Sequence, residues 1–534
     1  MKKLKLIDWL FLVGLVLVFL LPPTDPDLGW QLRCGQEIWQ REGWCNINKF
    51  SVLLEGYNWP NHHWLYQTVI WGIWGIWSRG AGSCSAGGRW GLSVLGAVVM
   101  GLAFWFWYLA TPNLRLEKMS LMSLMALMSW GVFSFGIRSQ ILGFLYFNLL
   151  LYIFSRLEQR PKFVWFIPLV MLVWANTHGG SVALGLVLVG GWGIKEFKGF
   201  KKFKEFKETV LMLVLAVGAT LLNPFGWRIY QEAWRHFGPL GGGVDLSKQI
   251  AEWVPPNTGV WWLVLLSALG LFGWLVVEEG KEGPEPEQVR FRVNFGWMEG
   301  LLLLPFAFLA LKARRNVSFY LALAGWVAIK SLKGLKGERR EMREELAWLA
   351  ALGFLFYGLF IRLPLTAKAN SSWESYCQQL PVGCPQKAVE FLKNQPPSLR
   401  GNIFNRYEWG GFLIWQLPEY KIFVDGRMPA WLARRSFSEG GPVGPYTLYL
   451  ETLQTQPSWE ETLDQYKIDW ILISPGTFMD LKLRPNPQEF GWGVKSLPSE
   501  EITPLPRESP TATFTGWREV YRDKVAVVYH RLPR

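Results

Sequence analysis

Paired metal-binding cysteines are missing from this chain of 534 residues: its 5 cysteines include no Cys-x-x-Cys with a matching second pair, which excludes the common structural zinc sites. The stretch after Ala367 contains no Gly-rich phosphate loop and no nucleophile elbow, so P-loop nucleotide binding and serine-hydrolase chemistry lack their usual foothold there. No small-residue cleavage site follows the first apolar segment, 6–21, behind Met1-Lys2-Lys3-Leu4-Lys5, so it reads as an uncleaved first helix rather than a signal peptide. Internal repeats, frequent in transporters, are absent as well. Acidic residues are in deficit, 42 Asp and Glu against 55 Lys and Arg, for a net charge of +13. That excess does not point to nucleic acid, because it gathers in short loops: Lys195, Lys198, Lys201, Lys202, Lys204 and Lys207, and again the run 330–343. Basic loops between apolar segments read as cytoplasmic anchors.

What the chain has in abundance is apolar surface. Hydrophobic residues make up 50% of it, with 33 Trp and 35 Phe. They fall in blocks of about 15–20 residues as far as Pro364, close to the ~20 that a helix needs to cross hydrocarbon. Candidate spans are 6–21, 64–77, 91–110, 119–136, 141–154, 163–177, 182–194, 209–222, 260–277, 295–311, 317–329 and 346–360. An even number of spans would leave both ends on one side, whereas the basic loops put the last span's exit outside, so one segment is miscounted. The expected fold class is an α-helical polytopic membrane bundle of about 11–13 transmembrane helices with a C-terminal soluble α/β domain. Residues 1–366 form the bundle, with two long outer loops at 22–63 and 225–259, and residues 367–534 form the extracytoplasmic domain.

In the first long loop Leu28, Leu32 and Trp39 make one apolar stripe, with Arg33 and Glu37 opposite, the pattern of an interfacial helix. The second holds Trp227, Trp234 and Trp253 among polar residues. Beyond Ala367 the pattern changes to helix at 388–393, strand at 401–404, helix at 409–416 and strand at 421–424. A helix at 459–466, a strand at 469–473 and a hairpin of 517–521 with 525–529 complete an α/β layer. Pro475, Pro485 and Pro487 mark an irregular insert. Cys34 with Cys45, and Cys377 with Cys384, are bridged if their compartment is oxidising and free otherwise.

Ionisable groups just past the end of a span are functional candidates, because burying them is expensive. Thr24-Asp25-Pro26-Asp27 follows the first helix directly. Two carboxylates one residue apart can share a divalent cation, or one can act as base; the plainer reading is a loop start built from turn residues. Arg138 and Arg314-Arg315 suit a bidentate grip on phosphate and equally suit snorkelling to headgroups. His178 either packs or contacts a phosphate. Asn223-Pro224 marks a helix end, Asp425-Gly426 is first of all a turn signal, and Glu252 in the second loop is an alternative base.

The order of several short motifs adds a resemblance. Asp25-Pro26-Asp27-Leu28-Gly29-Trp30-Gln31-Leu32-Arg33, Trp59-Pro60-Asn61-His62-His63-Trp64, Arg138-Ser139-Gln140, Trp174-Ala175-Asn176-Thr177-His178-Gly179-Gly180, Asn223-Pro224-Phe225-Gly226-Trp227, Glu252-Trp253, Arg314, Trp409-Gly410-Gly411 and Val424-Asp425-Gly426-Arg427 together resemble polytopic bacterial proteins of the GT-C glycosyltransferase superfamily. Those are similar to the protein mannosyltransferases and aminoarabinose transferases. The resemblance implies a multi-pass enzyme of the inner (plasma) membrane that moves a sugar, with inversion, from a polyprenyl-phosphate carrier to a glycan, lipid or protein acceptor on the outer face. It implies Asp25 and Asp27 as base or as ligands of a divalent metal ion, and Arg33, His62, His63, Arg138, His178, Asn223, Glu252 and Arg314 as substrate contacts. Membrane lipid is a partner and nucleic acid is not. The family pattern would carry His at Gln31, Asp at Asn48 and Glu at His63. These departures keep an inactive glycan-binding membrane scaffold as an alternative, beside a lipid-linked sugar transporter or flippase.

Overall fold

A computed structural model describes residues 4–78, 84–112, 114–199, 203–235, 252–279, 297–331, 340–380, 382–428, 431, 444–484 and 516–533. Much of the basic loop 330–343, the centre of the loop 195–207, residues 236–251 of the second long loop, and Pro485 and Pro487 lie outside the described residues. Contacts divide the described residues into two units, the first drawn from Met1–Asp25, Pro60–Phe237 and Asp245–Ser372, the second from Pro26–Trp59 and Trp373–Arg534.

The first unit is helical. Leu6–Val18 packs against Arg340–Phe356, Cys84–Ala110 against Ser139–Arg156, and Phe166–His178 against Phe203–Leu221. Three helical stretches among the described residues, Ala86–Ala110, Pro161–Ile194 and Glu344–Ser371, are long and apolar enough to cross a membrane, and Leu6–Val18, Thr258–Leu271 and Leu301–Lys312 are shorter apolar helices. The apolar blocks therefore fold as the helices that their composition predicts. The last of them runs beyond the expected end. Pro364 sits in the first turn of Leu363–Ser371, where its missing N–H has no helical partner to lose, and a π-turn at Tyr357–Arg362 passes the chain into that helix.

The second unit is built on a five-stranded sheet of order β2-β1-β3-β5-β4, with β1 Asn402–Asn405, β2 Lys421–Ile422, β3 Ile468–Ile473, β4 Trp517–Arg522 and β5 Val527–Arg531. β1 is parallel to both β2 and β3, while β5 is antiparallel to β3 and β4. β3 is the central strand, which explains its unbroken apolar run Trp470–Ile473. The expected β-α-β unit and final hairpin are present. Two further helices were not legible as such: Pro445–Leu453, which Pro at the first turn and Gly444 before it do signal, and Phe478–Leu483.

Residues of the first long loop complete this unit. Val52 N donates to Ile422 O (2.9 Å) and Ile422 N to Phe50 O (3.0 Å), so the segment borders the β2 edge of the sheet. In the helix Leu28–Trp39 two residues of the expected stripe, Leu28 and Leu32, are buried, but Trp39 is 58% exposed, and Trp30, Cys34 and Glu37 are buried instead. Trp30 and Cys34 enter the core that holds β1 and β3, and buried Glu37 pairs with Lys49 at 3.2 Å. The structure bonds both cysteine pairs, Cys34–Cys45 and Cys377–Cys384.

Asp480 ties Phe478–Leu483 to the hairpin. Its carboxylate is fully buried and accepts hydrogen bonds from Arg522 Nη2 (2.7 Å), Tyr529 OH (2.5 Å), Arg484 Nη2 (3.0 Å) and Gly476 N (2.6 Å). Burial pushes its pKa up, but Arg522, Tyr529 and Gly476 outweigh it and hold the group at about 2. A carboxyl depressed on folding contributes stability above its unfolded pKa of ~3.9 and loses it as pH falls toward the folded value. In thermal unfolding of the full chain, wild type should exceed Asp480→Asn at pH 6 by up to about 2 kcal/mol, and the two should converge between about pH 4 and pH 2. A gap that persists at pH 2 contradicts this.

Candidate active site

A glycine turn places the first candidate carboxylate. Gly136 has φ +75°, and a Cβ there would meet Pro22 O at 2.5 Å, so only glycine lets the turn before Ser139–Arg156 lie against the chain that leaves the first helix. Thr24 N donates to Phe135 O at 3.0 Å. Two residues beyond Gly136, Arg138 then faces Asp25: its Nε donates to Asp25 Oδ2 at 3.0 Å, and its Nη1 donates to Glu252 Oε2 at 3.0 Å. Arg315 Nη1 reaches the other Glu252 oxygen at 3.3 Å. Backbone bonds hold that side in place, Arg314 N to Val254 O at 3.0 Å and Arg315 N to Glu252 O at 3.3 Å. The guanidiniums of Arg138 and Arg315 lie over Phe135 and Trp253, at 4.9 and 4.5 Å from the ring centroids.

This network joins Asp25, Glu252, Arg138 and Arg315, two charges of each sign. Arg314 adds a further positive charge beside it, and Arg314 Nε is buried with no hydrogen-bond partner among the described residues. Burial pushes the Glu252 carboxyl up, and the guanidiniums of Arg138 and Arg315 more than offset this, so it stays below the usual glutamate range. An ion-pair network of arginines and carboxylates next to a further guanidinium is a setting for an anion such as a phosphate.

The three candidate histidines also meet. The ring centroids of His62 and His63 are 4.1 Å apart, those of His63 and His178 5.3 Å, and those of His62 and His178 6.5 Å. Gly179 makes room for them: a Cβ there would lie 2.9 Å from that of His62, and Gly179 N donates to His62 O at 3.2 Å. His178 Nδ1 is 2.6 Å from Ser181 Oγ, which accepts from Trp174 Nε1 at 2.8 Å. Asn223 does the work of a helix end. Its Oδ1 accepts from Phe225 N (2.8 Å), and its Nδ2 donates to the carbonyls of Thr220 (2.8 Å) and Gly226 (3.1 Å).

Other candidates belong to the second unit. Asp27 lies against Gly426, where a Cβ would fall 1.8 Å from Asp27 Oδ1, and Arg33 Nη1 donates to Gln36 Oε1 at 2.9 Å on its own helix. Asp425 and Arg427 form a fully buried pair at 2.7 Å, joined by Ser51 Oγ to Asp425 Oδ2 (2.5 Å) and by Arg427 Nη2 to Asn48 Oδ1 (2.8 Å). Asn48 Nδ2 donates to the carbonyls of Ser51, Leu53 and Leu54 at 3.3, 2.9 and 2.9 Å. An aspartate at 48 would lose these three bonds and add a negative charge to the cluster, which gives the departure at this position a physical reason. Burial would raise the Asp425 carboxyl, and Arg427 with Ser51 holds it below the usual range. Among the described residues no three His, Cys, Asp or Glu side chains are grouped so as to hold a metal ion.

Sequence reasoning named Asp25, Arg138, Glu252 and Arg314. It grouped Arg138 with Arg314-Arg315 as a grip on phosphate, but it did not foresee that Arg138 and Arg315 pair with Asp25 and Glu252, nor the part of Gly136. If Glu252 bridges Arg138 and Arg315, Glu252→Gln should lower stability by about 1.5–3 kcal/mol, the range for hydrogen bonds to charged groups. Adding Arg315→Ala should then cost much less than it does alone, and a double-mutant cycle of thermal unfolding reads the coupling. Additive effects contradict the bridge.

No protein-family model matches the sequence, and no curated protein matches it. Solved structures do. The archaeal oligosaccharyltransferase AglB from Archaeoglobus fulgidus, in complex with an inhibitory peptide and a dolichol-phosphate, aligns with a TM-score of 0.53 at 10% identity over 89% of this chain and 69% of its own. The apo form of the Archaeoglobus fulgidus oligosaccharyltransferase gives 0.54 at 10% identity over 90% and 70%. ArnT from Cupriavidus metallidurans bound to undecaprenyl phosphate covers 98% of this chain and 96% of its own at 12% identity, with a TM-score of 0.46. At such identities the likeness is one of fold alone: this chain is folded like the Archaeoglobus fulgidus oligosaccharyltransferase.

Proposed function

We propose that this protein is an integral membrane glycosyltransferase that takes a sugar from a polyprenyl-phosphate carrier and passes it, with inversion, to a hydroxyl or amine on a glycan, lipid or protein acceptor. The observation that carries the reading is the Asp25–Arg138–Glu252–Arg315 network with Arg314 beside it. It offers a carboxylate and several guanidiniums within one set of contacts, on a chain with three helical stretches among the described residues that are long and apolar enough to cross a membrane. The dolichol-phosphate in the AglB complex supports a lipid-phosphate carrier.

In the proposed reaction Asp25 takes the proton from the acceptor as its oxygen or nitrogen attacks the anomeric carbon. The bond from that carbon to the carrier phosphate breaks, and the phosphate leaves with the bonding pair. Arg314, Arg315 and Arg138 stabilise the charge that builds on it. Arg138 orients the base through Nε while Glu252 and Arg315 fix the guanidinium from the other side. The mechanism routes no step through a metal, since Asp25 already engages an arginine and no three-residue donor group is present among the described residues. We further propose the polytopic layout read from the sequence, with the basic loops 195–207 and 330–343 cytoplasmic and the C-terminal domain outside.

The test uses the full chain in liposomes supplied with polyprenyl-phosphate sugars extracted from bacterial membranes, together with the glycan, lipid and protein fractions of the same membranes as acceptors, and follows release of the free carrier phosphate. Asp25→Asn keeps size and most hydrogen bonds but removes basicity and the charge that pairs with Arg138; at a temperature where the variant is still folded it should slow release by about 10²–10⁴, far more than Glu252→Gln, which weakens the same network. Release that persists in Asp25→Asn but is lost in Asp27→Asn moves the base to Asp27. Wild-type protein that binds the carrier without consuming it supports the inactive scaffold instead.

A further inference from the structure

A cavity of about 230 Å³ opens in the second unit, lined by Arg406, Glu408, Tyr446, Leu450, Ser474 and Thr477 among others. Its place follows from the strand order. From β1 the chain moves to β2 on one flank, then returns past β1 to β3 on the other, and all three strands are parallel. Connections that leave in opposite directions part at the carboxyl ends of β1 and β3. In open α/β sheets that switch point is where ligands bind. Arg406 is the first residue beyond β1 and Ser474 the first beyond β3, so the cavity lies at the switch point.

The lining specifies a chemistry. Arg406 Nη1 donates to Ser474 Oγ at 2.6 Å and Nε to Glu408 Oε2 at 3.0 Å, so one guanidinium spans both strand ends and its charge is balanced by a carboxylate. Tyr446 stands edge-on to Tyr407 with centroids 4.8 Å apart, and lies 5.8 Å from Tyr449. Leu450 and Leu453 add apolar surface. Paired guanidinium and carboxylate groups with two hydroxyls match the alternating donors and acceptors of neighbouring sugar hydroxyls. The tyrosine and leucine surfaces match the apolar C–H face of a pyranose. A neutral ion pair gives a phosphate or dicarboxylate no net attraction. The volume is below the ~300–1,000 Å³ of pockets for drug-sized ligands, which suits one ring. We infer that this cleft is a saccharide subsite holding a single neutral pyranose unit, an inference independent of whether the Asp25 network transfers sugar.

Calorimetric titration of the full chain in detergent with methyl α-mannopyranoside, methyl β-glucopyranoside and N-acetylglucosamine tests it. At least one should bind saturably in the millimolar range. Arg406→Ala and Tyr446→Ala should each weaken binding about tenfold or more, and Tyr446→Phe, which keeps the ring, should stay within about threefold of wild type. Asp25→Asn should bind as wild type does. Absence of saturable binding by all three sugars overturns the inference, as does binding that survives both alanine variants. Loss of binding in Asp25→Asn would assign the signal to the helical unit and also overturn it. Tighter binding of inorganic phosphate than of any sugar would mark an anion site and have the same consequence. Should Arg406→Ala fail to fold, the Tyr446 pair of variants still decides.

Discussion

Arg138 donates from Nε to Asp25 and from Nη1 to Glu252, acceptors 113 and 114 residues away in opposite directions along the chain. A guanidinium 8% exposed keeps its charge at a cost of several kcal/mol unless such partners offset it. The pairing therefore binds three separate segments: the chain leaving the first helix, the turn around Gly136, and the segment Glu252–Val254 that is held by Arg314 and Arg315. Each carries a feature that matters only when the other two are present. Gly136 admits the close approach to Pro22, the backbone bonds at 314–315 align Glu252, and Arg315 supplies the second cation that Glu252 needs.

The second unit uses the same device for a different end. Asp425 and Arg427 are fully buried, and Ser51 and Asn48 from the first loop add hydrogen bonds to them. Removing one partner from such a pair leaves an uncompensated buried charge, at a cost of about 3–5 kcal/mol. That dependence explains why a segment remote in sequence is part of this unit and why the helix Leu28–Trp39 turns Trp30 and Cys34 inward. Close helix packing contributes as well: a Cβ on Gly29 would meet Gly411 O at 1.9 Å, so glycine is required where the two helices cross.

The helices were legible because each apolar block is long enough to fix its own structure, and the β-α-β unit because its short segments alternate cleanly. The last helix was expected to end at residue 360, where its apolar block stops, whereas a π-turn at Tyr357–Arg362 carries the chain on into Leu363–Ser371. The stripe on Leu28–Trp39 misled for a related reason. Helical periodicity picks Trp39 and rejects Glu37, but the disulfide at Cys34 and the Lys49 partner decide which face is inside. At the candidate site the residues were individually visible and their convergence was not, because pairings more than a hundred residues apart leave no local pattern. The cleft beyond β1 and β3 was invisible for want of strand order. Asn48 stood out as a departure from a motif, and only its four hydrogen bonds show what it does.

The account's central claim is that the arginines around Asp25 and Glu252 receive a lipid-linked phosphate. The most direct measurement is photo-crosslinking of the full chain, in liposomes, with a polyprenyl phosphate that carries a photoreactive group next to the phosphate. The account predicts labelled peptides containing Phe135–Arg138, Glu252–Val254 and Arg314–Asn316, with labelling much reduced in Arg138→Gln and Arg314→Gln. Labelling that is unchanged in both variants, or confined to peptides of the second unit, would contradict it.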